Sequence, residues 1–267
     1  MENTGKYALI TGATSGIGLE LAKLFAKDGY NLVITARDET ELHETAGLLE
    51  QNGISVVTIA KDLFDREQAF SLYAEVKQRD IEIDVLVNNA GQGVYGKFDQ
   101  TDIDRELQII DLNISSLVIL TKCFLTDMVA RNSGKILNLA SIASKVPGPW
   151  QAVYHGTKAF VLSFSEAVRE EVKDTGITVT ALMPGVTDTD FFNKADMQDS
   201  KAVQDESAKA DPADVALDGY KALMAGDDKV ISGLKNKLQM AMSAVTPDSI
   251  AAKQMNEQQK PVDKDDI

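Results

Sequence analysis

The chain has 267 residues, of which 44% are hydrophobic and 25% are charged, a composition typical of a soluble globular domain. Its formal net charge of −14 makes the average surface repel nucleic acid and anionic lipid, so we expect neither as a partner. We expect no membrane span, because no apolar run reaches the roughly 18 residues required, and no secretion signal at the amino terminus. One cysteine, Cys123, and two histidines predict no disulfide and no thiolate or imidazole metal site, which fits the reducing cytoplasm.

Apolar, β-branched runs alternate with longer helical stretches along most of the chain. The predicted strands are Tyr7–Thr11, Leu32–Thr35, Ser55–Ala60, Asp84–Asn88, Lys135–Ala140, Thr178–Met183 and Lys229–Ser232. The predicted helices are Gly18–Asp28, Glu39–Asn52, Arg66–Arg79, Ile103–Arg131, Val153–Thr175 and Pro212–Ala225. Strands that are apolar on both faces and separated by helices predict an α/β fold: a doubly wound, Rossmann-type parallel sheet of about seven strands with helices on both faces. We expect one catalytic domain over residues 1–251 and a polar, mobile tail over residues 252–267.

A glycine-rich turn follows the first predicted strand directly. The sequence TGATSGIG spaces its glycines as G-x-x-x-G-x-G and leads into a predicted helix. Glycine permits a tight turn and close backbone approach, and the unpaired N–H groups and dipole of the helix attract a pyrophosphate. Strand-to-helix turns also use glycine for purely structural reasons, so the turn alone leaves both interpretations open. As a phosphate site it would contribute Thr11, Gly12, Thr14, Ser15, Gly16, Ile17 and Gly18.

The end of the second predicted strand distinguishes two dinucleotides. Ala36 stands where an acid for the ribose hydroxyls would mark an NAD site, and Arg37 follows it. A guanidinium can bind a 2′-phosphate through paired hydrogen bonds, which favours NADP(H) over NAD(H). The alternative is a surface arginine that pairs with Asp38 or Glu39.

Two further strand ends lie at the same expected edge of the sheet. Asp62 follows the third strand and could accept a hydrogen bond from an adenine amino group. Asn88–Gly91 closes the fourth strand with small residues, where the backbone can approach a cofactor. Open α/β sheets bind their ligands at this edge.

Side chains near the fifth predicted strand suggest acid–base chemistry. Ser141 ends that strand, and Tyr154 and Lys158 lie four residues apart, on one face of a predicted helix. A lysine ammonium and an oxidised nicotinamide would both favour a phenolate, because a tyrosine pKa of about 10 is too high for proton transfer at neutral pH. Ser141 could hold a substrate oxygen, and Asn113 could anchor a water that relays protons to Lys158.

Each of these residues also has a structural interpretation. A tyrosine and a lysine four apart are common on helices, a serine at a strand end is often a helix cap, and an asparagine in a helix can bond its own backbone. His155 faces away from the Tyr154–Lys158 side and is interpreted as structural. Gly156 costs a helix roughly 1 kcal/mol against alanine, which predicts close packing at that position.

In combination these motifs resemble the short-chain dehydrogenase/reductase family in its single-domain form. The matching elements are TGATSGIG at 11–18, Asp62, NNAG at 88–91, Asn113, Ser141, Tyr154-x-x-x-Lys158 and Pro184-Gly185, which keep the family's order and spacing over residues 5–235. The resemblance implies an oxidoreductase that transfers a hydride between a nicotinamide and a carbonyl or secondary alcohol. Its implied catalytic tetrad is Asn113, Ser141, Tyr154 and Lys158.

The resemblance also extends the predicted cofactor site. It implies that Lys158 bonds the nicotinamide ribose as well and that Thr189 lies near the carboxamide or the phosphates. The remaining contacts are expected from Asp62, Leu63, Asn89, Ala90, Gly91, Pro184, Gly185, Val186 and Thr187. Ser15 stands where some NADP-preferring members carry a second basic residue, so the preference for NADP(H) depends on Arg37 alone.

Substrate choice is expected from three loops above the carboxyl edge: Gly93–Tyr95, Val146–Trp150 and Phe191–Lys209. Phe192, Met197, Trp150 and Tyr95 would form an apolar pocket or belong to ordinary core or subunit contacts. We expect a mid-sized, largely apolar ketone or aldehyde as substrate. The family resemblance implies a homodimer or homotetramer that forms through the helices at 103–131 and 153–175. The alternative function is a catalytically silent NAD(P)-binding sensor or regulator on the same fold.

The assignment of Arg37 predicts a selective effect of its removal. Arg37→Ala should weaken NADP(H) binding far more than NAD(H) binding, because only the former carries the 2′-phosphate. Dissociation constants for both cofactors, measured by fluorescence titration, check this. An equal loss for the two cofactors would contradict the assignment.

Overall fold

A parallel, seven-stranded sheet lies at the centre of the protein, whose computed structural model describes residues 3–204, 209–243 and 246–262. The strands run in the order β3-β2-β1-β4-β5-β6-β7. Their bounds are β1 (Tyr7–Thr11), β2 (Asn31–Ala36), β3 (Val56–Ala60), β4 (Ile83–Asn88), β5 (Gly134–Leu139), β6 (Ile177–Met183) and β7 (Lys229–Ile231). Parallel neighbours bring the carboxyl ends of β1, β4, β5 and β6 to one edge.

Helices cover both faces of this sheet, which confirms the doubly wound fold. They are α1 (Gly16–Lys27), α2 (Glu39–Glu50), α3 (Arg66–Gln78), α4 (Ile103–Ile110), α5 (Ser116–Arg131), α6 (Ala152–Glu171), α7 (Phe191–Lys194), α8 (Lys201–Gln204), α9 (Pro212–Ala225), α10 (Leu234–Ser243) and α11 (Asp248–Gln259). Along β1, Ala8 and Ile10 pack with α1, α2 and α9, whereas Leu9 packs with α3, α5 and α6. The alternation follows from side chains that point to opposite faces along a strand.

The helix predicted without a break at Ile103–Arg131 contains a π-helical turn, Asp111–Ser115, between α4 and α5. The turn carries Asn113, whose amide bonds the backbone of Gln92. A π-helical turn inside an α-helix is rare and is frequently found at functional sites. Contacts from a distant segment stabilise it here, so local sequence could not predict it.

The same stretch corrects our expectation that no helix is long and apolar enough for a membrane span. Among the described residues, the helical stretch Ile103–Arg131 is long and apolar enough to cross a membrane by length and composition alone. The mean hydropathy of its most apolar 18 residues is 1.6, and 44% of that segment is buried inside the protein. Leu120, Phe124 and Met128 pack in the core against the sheet. The apolar character of this helix is therefore explained by its place in the core.

The chain beyond residue 225 differs most from the sequence analysis. Leu234, Leu238 and Met242 repeat every four residues, a spacing typical of a helix, and they lie on α10. Residues 252–262, expected as part of a mobile tail, contain most of α11, and Gln259 is buried. Helices of this length gain most of their stability from tertiary contacts, which composition does not reveal. The expected domain end at residue 251 falls inside α11, and residues 263–267 lie outside the described residues.

Candidate active site

The turn between β1 and α1 needs its glycines. Gly12 and Gly16 have φ of 65° and 53°, a left-handed region that other residues rarely adopt. A Cβ on Gly18 would overlap the carbonyl oxygen of Gly12, and one on Gly16 would lie 2.9 Å from the side chain of Thr189. The backbone is therefore closely packed on itself at this turn.

The segment after β4 holds the glycine turn in place. The side-chain amide of Asn89 donates to the carbonyl oxygens of Thr11 and Gly12 at 2.8 and 3.0 Å. The Thr11 hydroxyl accepts from the backbone amides of Asn89 and Ala90 at 3.0 and 2.9 Å. Thr11 and Asn89 thus join the ends of β1 and β4. We expected both residues to contact a cofactor, whereas their side chains here stabilise the turn.

The amino terminus of α1 suits an anion. Ser15 precedes the helix and its side chain makes no capping hydrogen bond, so the first N–H groups of α1 keep their capacity for an external acceptor. They adjoin a cavity of about 1550 Å³, whereas a site for one small ligand measures about 300–1,000 Å³. The cavity thus has room for a dinucleotide together with a substrate.

Most of the predicted site residues line this cavity. Those that do are Gly12, Thr14, Ser15, Gly16, Ile17, Arg37, Asp62, Leu63, Asn89, Ala90, Gly91, Ser141, Tyr154, Lys158, Pro184, Gly185, Val186, Thr187 and Thr189. Thr11, Gly18 and Asn113 do not line the cavity, and they contact residues that do. Phe192 and Met197 line the cavity, while Tyr95 and Trp150 stack on each other with ring centroids 5.7 Å apart.

Arg37 lies exposed at the end of β2, and its guanidinium carbon is 5.1 Å from the ring centroid of Phe64. Asp38 caps α2 by accepting from the backbone amides of Thr40 and Glu41. Within the described part of the chain, Arg37 forms no ion pair with Asp38 or Glu39, the alternative raised above. Phe64, a cavity residue that sequence reasoning missed, follows the Asp62-Leu63 pair directly.

Lys158 places an ammonium group in the interior. Its side chain comes from α6, the residue is 4% exposed, and Nζ donates to the carbonyl oxygen of Leu139 at 2.7 Å. Nζ also lies 5.8 Å from the ring centroid of Tyr154. Burial lowers the pKa of Lys158 to about 8, so the group remains mostly charged at neutral pH.

The protein's own groups do not favour the Tyr154 phenolate, which we expected from the neighbouring lysine together with an oxidised nicotinamide. Burial raises the pKa of Tyr154 to about 12, and the hydrogen bond to the Ser141 hydroxyl lowers it only in part. Lys158 directs its proton to Leu139 and lies over the tyrosine ring. The tyrosine is therefore a neutral phenol near pH 7, which is the form that can donate a proton.

Asn113 is buried, and its side chain joins three segments. Its amide oxygen accepts from the Gln92 amide at 3.0 Å, and its amide nitrogen donates to the Gln92 carbonyl and the Thr157 hydroxyl, each at 2.9 Å. The Thr157 hydroxyl in turn donates to the Tyr154 carbonyl at 2.7 Å. Asn113 therefore helps to fix the start of α6, and its link to Lys158 through water stays a prediction.

The two residues after Tyr154 behave differently. His155 is buried, its Nδ1 lies 2.9 Å from the Val146 carbonyl oxygen, and burial lowers its pKa. Gly156 is exposed, and a Cβ there would meet no atom within 4 Å. The close packing predicted at Gly156 is not found within the chain, because this residue lies on the exposed face of α6 that also carries Phe160.

Comparisons with known proteins agree with the fold and the motifs. The model of the short chain dehydrogenase family matches residues 6–200. An uncharacterized oxidoreductase of Staphylococcus saprophyticus is 33% identical, with 84% of this chain and 93% of that protein covered. A probable NADP-dependent dehydrogenase of Haemophilus influenzae is 35% identical over 78% of this chain and 84% of that protein. The solved structure of a short-chain dehydrogenase from Sphingobium yanoikuyae in complex with NADPH aligns with a TM-score of 0.80 and 27% identity, covering 91% of this chain and 96% of that one.

The chain therefore belongs to the short-chain dehydrogenase/reductase family of oxidoreductases. This confirms the resemblance found in the sequence.

The space around two glycines, Gly18 in the glycine turn and Gly156 on α6, predicts different outcomes for their replacement by alanine. Gly18→Ala places a methyl group against the Gly12 carbonyl and should weaken NADPH binding at least tenfold. Gly156→Ala, the matched control, fills open space and should stabilise α6 by up to about 1 kcal/mol without changing binding. Urea unfolding and NADPH titration measure both effects. Wild-type affinity in Gly18→Ala would contradict the tight turn.

Proposed function

We propose that the protein is an NADP(H)-dependent reductase of carbonyl compounds, with Tyr154 as general acid in reduction and general base in the reverse reaction. One observation carries this proposal. Ser141, Tyr154 and Lys158 line the same cavity as the glycine turn and Arg37. A proton donor (Tyr154), a buried cation (Lys158) and a turn suited to a dinucleotide therefore line a single cavity.

The chain's residues fit a dinucleotide. The glycine turn leaves no room for a Cβ, and the uncapped start of α1 offers N–H donors to a pyrophosphate. Arg37 would hold the 2′-phosphate, Asp62 the adenine, and Lys158 the nicotinamide ribose. When bound, the nicotinamide supplies the hydride in reduction and accepts it in oxidation.

NADP(H) is preferred in this proposal because of the charge at the end of β2. Ala36 offers no carboxylate to ribose hydroxyls, and the exposed Arg37 offers paired donors to a phosphate. The NADPH complex of the Sphingobium enzyme and the name of the Haemophilus relative support the same choice.

The proton transfer follows from the ionisation of the site. The hydroxyls of Ser141 and Tyr154 donate hydrogen bonds to the substrate oxygen, and the phenol proton moves to that oxygen as it gains negative charge. The protein's own groups give Tyr154 a pKa of about 12, so the phenol enters the reaction with its proton. The Lys158 ammonium stabilises the phenolate that remains. In the reverse direction the phenolate accepts the alcohol proton.

The substrate proposed is a largely apolar ketone or aldehyde. Beyond Tyr154 the cavity wall carries a group of large apolar side chains, of which Phe191 lies with its ring centroid 5.1 Å from that of Tyr154. Other apolar lining residues are Phe192, Met197, Leu234, Leu238, Met240, Met242 and Met255. Methionines adapt to ligands of irregular shape.

A cytoplasmic homo-oligomer remains part of the proposal. Ile103, Leu107, Val129 and Phe160 are exposed large hydrophobic residues on α4, α5 and α6. Such residues support self-association through these helices. The formal charge of −14 argues against nucleic acid as a partner.

Removal of the phenol hydroxyl should separate chemistry from binding. Tyr154→Phe should lower kcat at least about 100-fold, since general acid catalysis is lost, while NADPH affinity stays within about twofold. Tyr73→Phe is the matched control, because Tyr73 bonds Asp127 outside the cavity. Following NADPH absorbance against a panel of ketones and aldehydes measures kcat.

Two outcomes contradict the proposal. A Tyr154→Phe enzyme that keeps near-wild-type kcat removes the phenol from the reaction. A wild-type protein that binds NADPH and oxidises it with no carbonyl of the panel favours the silent sensor or regulator instead.

A further inference from the structure

Helix α11 is anchored to the two loops that flank Tyr154. The indole N–H of Trp150 donates to the side-chain oxygen of Asn256 at 3.0 Å. The hydroxyl of Tyr95 donates to the carbonyl oxygen of Gln259 at 2.5 Å. Because the rings of Tyr95 and Trp150 also stack on each other, both loops and α11 form one packed unit.

Trp150 adopts a backbone conformation that needs such support. Its φ is 70°, a left-handed value that is strained for a residue with a large side chain. Its carbonyl oxygen accepts from the Gly96 amide at 2.8 Å. Since Trp150 stands two residues before α6, the contact with α11 stabilises the backbone from which the helix of Tyr154 begins.

His155 is where α6, the preceding loop and α11 meet. Its Nδ1 lies 2.9 Å from the Val146 carbonyl oxygen, and its Nε2 lies 3.1 Å from Nε2 of Gln259. A carbonyl oxygen can only accept, so Nδ1 carries the proton. The Nε2 atom of a neutral ring then accepts, and the amide NH₂ of Gln259 is the donor it requires. The contacts with Val146 and Gln259 favour one tautomer, and a further backbone hydrogen bond with Ala143 raises the pKa of the ring but does not offset the effect of burial.

The ring held in this way packs against Tyr154. The two ring centroids are 6.0 Å apart with an interplanar angle of 78°, an edge-to-face contact. On its other side the ring lies so close to Gly148 that a Cβ there would overlap it. His155 is therefore confined between the loop, α11 and the phenol ring.

We propose that Gln259 is a positioning residue for Tyr154, acting through the tautomer and orientation of His155. The inference rests on the proposed function of Tyr154. It explains the orientation of the Gln259 amide, whose oxygen is buried without a hydrogen-bond partner among the described residues. If the side-chain amide of Gln259 were rotated by 180°, its oxygen would face Nε2 of His155, and both atoms would then be hydrogen-bond acceptors.

The first test needs no turnover. The chain has two histidines, so ¹H–¹⁵N correlation spectra contain the signals of two imidazole rings. The His43→Gln variant loses one set of signals, and the set that remains belongs to His155. We expect His155 of the wild type to be the neutral Nδ1–H tautomer at neutral pH. A neutral Nε2–H tautomer, or a doubly protonated ring, would overturn the inference.

The second test replaces the donor. Gln259→Leu keeps a similar size but donates nothing, and we expect kcat for ketone reduction to fall about tenfold or more, with NADPH affinity within about twofold of wild type. Gln259→Glu keeps the shape of the side chain, but its carboxylate can only accept hydrogen bonds. A doubly protonated His155 can then donate both to the introduced carboxylate and to the Val146 carbonyl, so we expect that ring state and a kcat closer to wild type.

The control is Lys253→Leu, an exposed position on the same helix, which should change neither kcat nor the tautomer. A Gln259→Leu enzyme with wild-type kcat would overturn the inference, as would a loss of kcat matched by an equal loss of NADPH affinity. If the wild type reduces no carbonyl compound, the proposed function fails, and the tautomers of the wild type and the variants still decide whether Gln259 orients His155.

Discussion

A buried ammonium beside a phenol is the interaction on which the site depends. Nζ of Lys158 has the Leu139 carbonyl oxygen as its acceptor at 2.7 Å, and burial lowers the pKa of the lysine to about 8. No carboxylate in the described part of the chain offsets this cost, which is high for an unpaired charge. Such a cation opposes folding, and in the proposed reaction it would stabilise the negative charge of the Tyr154 phenolate. Strongly shifted pKa values of neighbouring groups in a cavity are typical of catalytic sites.

The fold brings these groups to one edge through polar contacts inside the sheet. The side chain of Asn88 at the end of β4 donates to that of Asn138 on β5 at 2.9 Å, and Asn138 donates to the Ser165 hydroxyl on α6 at 2.9 Å. These bonds join β4, β5 and the helix of Tyr154 and Lys158. Buried networks of this kind favour one arrangement of their elements, and here the side-chain oxygen of Asn88 is the one atom of these bonded residues that has no hydrogen-bond partner among the described residues. Together with the contacts between Thr11 and Asn89, these bonds connect the glycine turn to the helix that carries Tyr154 and Lys158.

Much of the fold and site could be predicted because local patterns encode them. Apolar strands and capped helices predicted the parallel sheet, and the glycine turn and the Tyr154–Lys158 spacing predicted the two halves of the cavity. The π-turn at Asn113 and the helix that ends at Gln259 were missed because distant contacts stabilise both. The raised pKa of Tyr154 was also missed, since the spacing of the two residues shows that a lysine is near but not how far the protein shields either group from water.

The pH dependence of stability tests the buried charge most directly. In the unfolded chain Lys158 titrates near 10.5 and in the folded protein near 8. The unfolded state therefore binds more protons between these values, and folding stability rises with pH in that window. Relative to Lys158→Met, the free energy of unfolding of the cofactor-free wild type should rise by up to about 3 kcal/mol from pH 8 to pH 10.5. A difference between the two proteins that stays constant over this range would contradict a buried, uncompensated ammonium at the active site.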